Sequence, residues 1–404
     1  MSPATSTPSL PSPARRRLLR GVPAAAAAIG LPLRAQPAAE PLKIGLIASW
    51  SGPYADYGRQ FDAGIAVWLQ EHGGRIAGRP VALVRRDTAG PAPELARRAA
   101  QELLIQDRVQ VLGGLDFSPN ASAVAPVATQ ARVPLVVMNA ASAAIPSQSP
   151  YVVRTSFTVQ QVSGPMGRWA AKQGIGDAWT VVADYASGLD AEGAFRDAFT
   201  AAGGRIAGSS RVPMGSLDFS AYLQRVRDAK PQAVFFFFPS GVMPPAFLRA
   251  WKERAMDQAG IRLLATGEAT DDSYLAATGD AALGLVTSHH YSFAHPSDKN
   301  RIFIQRFRAL HGPKLRPSYF AVAAYDGLAA IEAALTKTGG DAGGDKLVAA
   351  MRGMAFESPR GPIEIDAATR DIVQTVYIRR VERQVDGELV NREFDRYERV
   401  RYPA

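Results

Sequence analysis

Short apolar runs alternate with longer stretches in which apolar side chains return every three or four positions, from residue 42 to about residue 350. Residues 42–48, 80–86, 109–112 and 135–138 read as strands. Between them lie an amphipathic helix carrying Phe61, Ile65, Val67, Trp68 and Leu69, a helix over 93–106 with its arginines turned to solvent, and a helix over 120–130. Residues 151–157 are extended, and a helix runs from Ser163 to Gly174. A second series has similar content: strands 179–183, 205–212, 233–238 and 261–266, with helices over 190–202, 219–229 and 244–259. Run 233–238 is apolar throughout, as a strand buried on both faces should be. Residues 284–290 lead out of it toward helices over 298–311, 318–338 and 346–353, and a β-rich tail starts at Gly361. Strand and helix alternating at this spacing predict an α/β protein with parallel sheets covered on both faces.

Residues 108–142 hold two strand-loop-helix openings in succession. The first runs through Gly113-Gly114 into a loop where Ser118 and Pro119 make a plausible cap and first turn. The second strand ends in Asn139-Ala140-Ala141-Ser142, a small-residue turn with free donors. Ligands of open parallel sheets lie outside the carboxyl ends of the strands, where N–H groups and helix N-termini favour anions. This stretch therefore predicts half of a small-molecule cleft.

A chain of 404 residues, 47% apolar, is long enough for two cores. Its N-terminus is ordered as an export signal: Ser/Pro-rich to residue 14, then Arg15-Arg16-Arg17-Leu18-Leu19-Arg20, then an alanine-rich run. That run is too short, and too broken by Pro23 and Pro32, for the roughly 20 residues of a span. The arginine spacing is similar to the twin-arginine export motif. A signal peptide over residues 1–35, cleaved near Ala35, would take away five arginines and bring the formal charge from +9 to +4. No basic run with interleaved aromatics remains, which argues against nucleic acid. Without cysteine the chain has neither disulfides nor a thioether lipid anchor, so a free periplasmic protein is expected. Gly-x-Ser-x-Gly, His-Glu-x-x-His and a complete dinucleotide fingerprint are all missing, so no enzyme and no cofactor are expected. His289, His290 and His295 lack zinc-ligand spacing and read as packing rather than a metal site.

The segments Lys43-Ile44-Gly45-Leu46, Ser51-Gly52-Pro53-Tyr54-Ala55-Asp56-Tyr57-Gly58, Val133-Pro134, Asp218-Phe219-Ser220, Lys230-Pro231-Gln232-Ala233-Val234 and Ala324-Tyr325-Asp326-Gly327 resemble the type I periplasmic solute-binding proteins of ABC importers. Within them the match is to the leucine/isoleucine/valine-binding branch, over about residues 42–394. The resemblance implies two Rossmann-like lobes with parallel sheets joined by three hinge crossovers, near Phe157, residues 289–292 and residues 361–365. Lobe 1 would take residues 41–157 and 292–363, and lobe 2 residues 158–291 and 364–404. It also implies a small-molecule solute, closure of the lobes around it, ABC permease membrane subunits as partners, and a monomer. A cleft between two rigid lobes is a two-state element, biased by any ligand that touches both.

Carried over by position, Ala140, Ala141 and Ser142 fall on a carboxylate-binding turn, Glu268 on an acid that meets an ammonium, and Tyr57 on an aromatic wall. The departures are specific. Phe117 stands where a serine is usual, with Ser118 one place later. Ser187 stands at an aromatic lid, with Tyr185 two residues before it, and Pro239-Ser240-Gly241 replaces a tyrosine-rich turn. Duller readings exist for each: a loop carboxylate for Glu268, a turn cap for Ser142, packing for Phe117 and Tyr57. The expectation is a small amphipathic carboxylate, a hydrophobic or branched-chain amino acid, with an aromatic carboxylic acid as the alternative because Phe117 suits a ring. A ligand-sensing module for a membrane receptor is the alternative from another class.

Overall fold

The computed structural model describes residues 40–402; the signal expected over residues 1–35 lies outside them. The first series forms strands β1 (Leu42–Ala48), β2 (Arg75–Ile76), β3 (Arg79–Asp87), β4 (Val111–Gly114), β5 (Leu135–Val137) and β6 (Val152–Arg154). They make a six-stranded sheet in the order β2-β3-β1-β4-β5-β6, parallel except for the β2–β3 hairpin. Helices Ala55–Glu71, Asp298–His311 and Tyr319–Lys337 cover it, so the chain returns late to complete the lobe it began.

The second series gives β7 (Asp177–Ala183), β8 (Arg205–Val212), β9 (Ala233–Phe237), β10 (Arg262–Thr266) and β11 (Val286–His289). The tail adds β12 (Ala355–Ser358), β13 (Gly361–Ile365), β14 (Ile372–Arg383) and β15 (Leu389–Val400). This nine-stranded sheet is parallel from β8 to β11, but β14 joins β11 antiparallel, so it is mixed rather than wholly parallel. Alternation at β9 serves both faces: Phe235 stacks on Phe195 at 4.2 Å, while Phe236 meets Phe247 at 4.6 Å.

The chain passes between the sheets three times: after β6, after β11, and before β12. The third passage precedes the expected 361–365, because Ala355–Ser358 already pairs with Gly361–Ile365 in the second sheet. The helix expected from Ser163 is Val159–Lys172, started four residues earlier by a capping box between Thr158 and Gln161.

Buried arginines fasten these passages. Arg154 reaches the carbonyls of Ser142 (2.7 Å) and Phe157 (3.1 Å), with Asp371 at 3.2 Å. Arg360 pairs with Asp326 at 3.1 Å, and Ser358 donates to the same carboxylate at 2.8 Å. Arg379 has no carboxylate within ion-pair distance among the described residues; it donates to the Gly267 and Tyr291 carbonyls and to the Thr270 and Thr287 hydroxyls. Peptide dipoles thus supply most of the solvation that burial removes.

Candidate functional site

The carboxyl ends of β4 and β5 face those of β7, β9 and β10, and the loops leaving them wall a buried cavity. From the first sheet come Asp116, Phe117, Ser118, Asn139 and Ala141; from the second, Tyr185, Ser187, Phe237, Pro239, Ser240 and Glu268. Tyr57 and Tyr319 enter from helices, and Phe157 and Val159 from the first passage. Among the described residues no lysine or arginine lies in this wall.

Two helices open on the cavity. Ser118 is the first residue of helix Ser118–Ala131, and Phe117, extended at φ −112°, takes the cap position expected for Ser118. The Ser118 hydroxyl is therefore not spent on capping. It lies 2.9 Å from the Ser187 hydroxyl and accepts the Ser142 N–H at 3.1 Å. Ser187 is in the first turn of helix Ala186–Ala201, which starts four residues before the expected Asp190. Gly188 permits that start: a Cβ there would lie 1.8 Å from the Ala183 carbonyl oxygen. Two positive helix ends thus meet across the cleft, each with first-turn N–H groups that no helical carbonyl satisfies.

The rest of the wall is aromatic. Tyr57 lies 5.5 Å from Phe117, and the Phe117 edge meets Tyr54 at 4.8 Å. Phe157 meets Tyr319 at 5.7 Å, and Tyr185 stacks with Phe237 at 6.2 Å. Hydroxyls bind the lobes together around these rings. Tyr57 Oη donates to the Ser240 carbonyl at 2.6 Å, and Ser240 Oγ lies 2.9 Å from Tyr319 Oη. The cavity measures about 30 Å³. That is well below the roughly 150 Å³ that holds benzene in an apolar protein cavity, so admitting a ring requires the lobes to stand slightly further apart.

Two acids sit in this dry space. Burial pushes Asp116 up to about 6, against the Ser49 and Phe117 N–H groups that it accepts at 2.8 and 3.0 Å. Burial pushes Glu268 up to about 7. Its Oε2 has no hydrogen-bond partner among the described residues, and His289 Nε2 stands 3.8 Å away. His289 and His290 are wholly buried, and burial drives both far below their ordinary range, leaving them neutral. His295 is elsewhere, 2.9 Å from Glu393. Among the described residues no group of three or more His, Cys, Asp or Glu could hold a metal.

Of the ten residues singled out from sequence, Tyr57, Phe117, Ser118, Ala141, Tyr185, Ser187, Ser240 and Glu268 share the cavity. Two do not. Ala140 is buried behind the wall, its N–H given to the Leu115 carbonyl at 2.8 Å. Ser142 turns its hydroxyl to Asp190 on the other lobe, at 2.7 Å. Asp116, Asn139, Phe157, Val159, Phe237, Pro239 and Tyr319 were missed. Phe237 was visible as an alternate position of an all-apolar strand, and Tyr319 as the residue after the cap Ser318; neither pattern says which face meets the cleft.

Two sheets joined by three passages, with strand ends and helix N-termini converging on a shared cleft, make a two-lobed solute-binding protein. The chain belongs to the periplasmic binding protein family, which it matches over residues 41–387. It is 42% identical over 366 residues to Leu/Ile/Val-binding protein homolog 6 of Brucella melitensis biotype 1, covering 91% of this chain and 94% of that one. The solute-binding protein of an ABC transporter from Rhodopseudomonas palustris BisB5, solved in complex with 3,4-dihydroxybenzoic acid, is 47% identical with a TM-score of 0.86, covering 90% of this chain and 98% of that one. One from Rhodopseudomonas palustris HaA2, in complex with p-hydroxybenzoic acid, is 39% identical with a TM-score of 0.87, covering 90% and 98%. This is a family of solute-binding proteins rather than enzymes, periplasmic and working with permease subunits. Among the described residues no helix is long and apolar enough to cross a membrane.

Proposed function

We propose that this solute-binding protein captures a small aromatic carboxylate in the periplasm and presents it, lobes closed, to the permease of an ABC importer. The observation that carries the reading is the wall itself: six aromatic rings, from Tyr57, Phe117, Phe157, Tyr185, Phe237 and Tyr319, closing on two facing helix N-termini without a basic side chain. Ring faces and edges suit a planar aromatic body, and helix ends suit a carboxylate that no cation needs to neutralise. Phe117, in place of a hydroxyl, favours a ring over an aliphatic chain. The aromatic-acid complexes at 47% and 39% identity support the same reading. One chain supplies both walls, consistent with a monomer that acts by closure.

A branched-chain amino acid is the second reading, favoured by the name of the Brucella relative and by Glu268 as a partner for an ammonium. A thermal-shift screen separates the two. A ligand at 100 times its dissociation constant stabilises by about 2.7 kcal/mol, so benzoates should raise the melting temperature and leucine, isoleucine and valine should not. A shift with the amino acids alone would reverse the assignment.

A further inference from the structure

Resting on the aromatic-acid reading, the proton accounting of the cleft goes one step further. We propose that Glu268 recognises a ring hydroxyl, so that the solute is a hydroxy-substituted aromatic acid rather than benzoate itself or an α-amino acid. Apart from Asp116, Asn139 and Tyr185, the polar groups of the wall form two clusters, Ser118 with Ser187 and Ser240 with Tyr57, Tyr319 and Glu268, with no hydrogen bond between them among the described residues, and the two offer opposite chemistry.

At Ser118 and Ser187 the cluster is rich in donors. Ser118 Oγ already accepts the Ser142 N–H, and of the two facing hydroxyls one donates to the other, leaving one hydroxyl proton and the first-turn N–H groups of two helices. A carboxylate belongs there.

At Ser240 the donors are used up. Tyr57 Oη gives its proton to the Ser240 carbonyl, and Ser240 Oγ gives its own to the Glu268 carbonyl at 3.2 Å. With that proton committed, Tyr319 Oη must be the donor in its 2.9 Å contact with Ser240 Oγ. What this cluster has left is Glu268 Oε2, buried and unpartnered. It calls for a group that can donate. A phenolic hydroxyl also accepts, so it satisfies the carboxyl whether ionised or, as its elevated pKa favours, protonated.

Tyr57 sets the spacing. Its ring lies beside Phe117, next to Ser118, while its hydroxyl reaches Ser240. A ring with substituents at opposite ends spans the same interval. An α-amino acid carries both charges on one carbon and cannot serve both clusters.

The test is calorimetry with 4-hydroxybenzoate, 2-hydroxybenzoate and benzoate on the wild-type protein and on Glu268→Leu, with melting curves to verify folding. Leaving a buried polar group unpaired is strongly discriminating, so wild type should prefer 4-hydroxybenzoate over benzoate by at least about tenfold. 2-Hydroxybenzoate, with its hydroxyl beside the carboxylate, should bind like benzoate. In Glu268→Leu the ratio of 4-hydroxybenzoate to benzoate affinity should fall toward one. Equal binding of 4-hydroxybenzoate and benzoate by wild type overturns the inference and leaves the aromatic-acid reading standing. A preference that survives in Glu268→Leu also overturns it, and assigns the hydroxyl to Asn139 Oδ1, the other unpartnered acceptor of the wall. Binding of amino acids but of none of the three acids removes the aromatic reading and the inference together.

Discussion

The bond from Ser142 Oγ to Asp190 Oδ2 joins the two lobes without lining the cavity, so it can be removed without touching the solute. Ser142 is buried and Asp190 partly so, and the bond is 2.7 Å long to a carboxylate. Hydrogen bonds to charged groups contribute about 1.5–3 kcal/mol, and partial exposure argues for the low end. In the open state both groups return to water, so the whole contribution belongs to closure. With the free protein mostly open, losing about 1.5 kcal/mol of closure raises the apparent dissociation constant roughly tenfold. Ser142→Ala, Asp190→Ala and the double variant make a cycle readable by calorimetry with 4-hydroxybenzoate. The expected pattern is about a tenfold loss in each single variant and no further loss in the double. If Ser142→Ala weakens binding as much in the Asp190→Ala background as in wild type, the hydroxyl serves the solute directly and the reasoning fails. No weakening in any variant refutes it as well.

Glu268 is expected to reduce stability near neutral pH. Its folded pKa, about 7 against an ordinary 4.5, means that the folded state holds a proton the unfolded state releases, so its contribution is full below about 4.5 and is lost as pH rises through 7. Glu268→Gln should therefore gain up to about 3 kcal/mol at pH 8 and little at pH 4.5; a gain equal at both pH values in denaturant titrations would contradict this. Asp326→Ala strands the buried Arg360 guanidinium and should cost about 3–5 kcal/mol in the same titrations; an unchanged midpoint would show that the pair is not holding the third passage. Gly188→Ala drives a methyl into the Ala183 carbonyl and should cost about 1–3 kcal/mol while displacing the helix end from the cleft. Wild-type affinity in that variant would count against the helix end as the carboxylate site.

Local pattern was enough to order most of the elements. Helix Asp298–His311 falls where periodicity and end signals put it and strand Ala233–Phe237 ends one residue short of the expected run, because each needs only its own residues to reveal a buried stripe or an apolar run. Less was legible where a boundary depends on chemistry without a hydrophobic signature. The start of Val159–Lys172 rests on a reciprocal Thr158–Gln161 bond, and the start of Ala186–Ala201 on space left by a missing Cβ. Ala355–Ser358 becomes a strand because β13 offers it an antiparallel edge.

By itself, then, the sequence determined two α/β series and the strand ends of the first that open on a cleft, since these are fixed by short-range pattern, while eight of the residues that wall the cleft were named by the positions that the family resemblance implies. Only the tertiary structure decided what each hydroxyl does. Tyr57 finds its acceptor 183 positions away at Ser240, Ser118 finds Ser187 at 69, and Ser142 is drawn off to Asp190 at 48. A side-chain proton can be given only once, and which acceptor takes it depends on which lobes, loops and helix ends folding brings within 3 Å. That allocation leaves donors at one end of the cleft and the Glu268 carboxyl at the other, and no local signal in the chain records it.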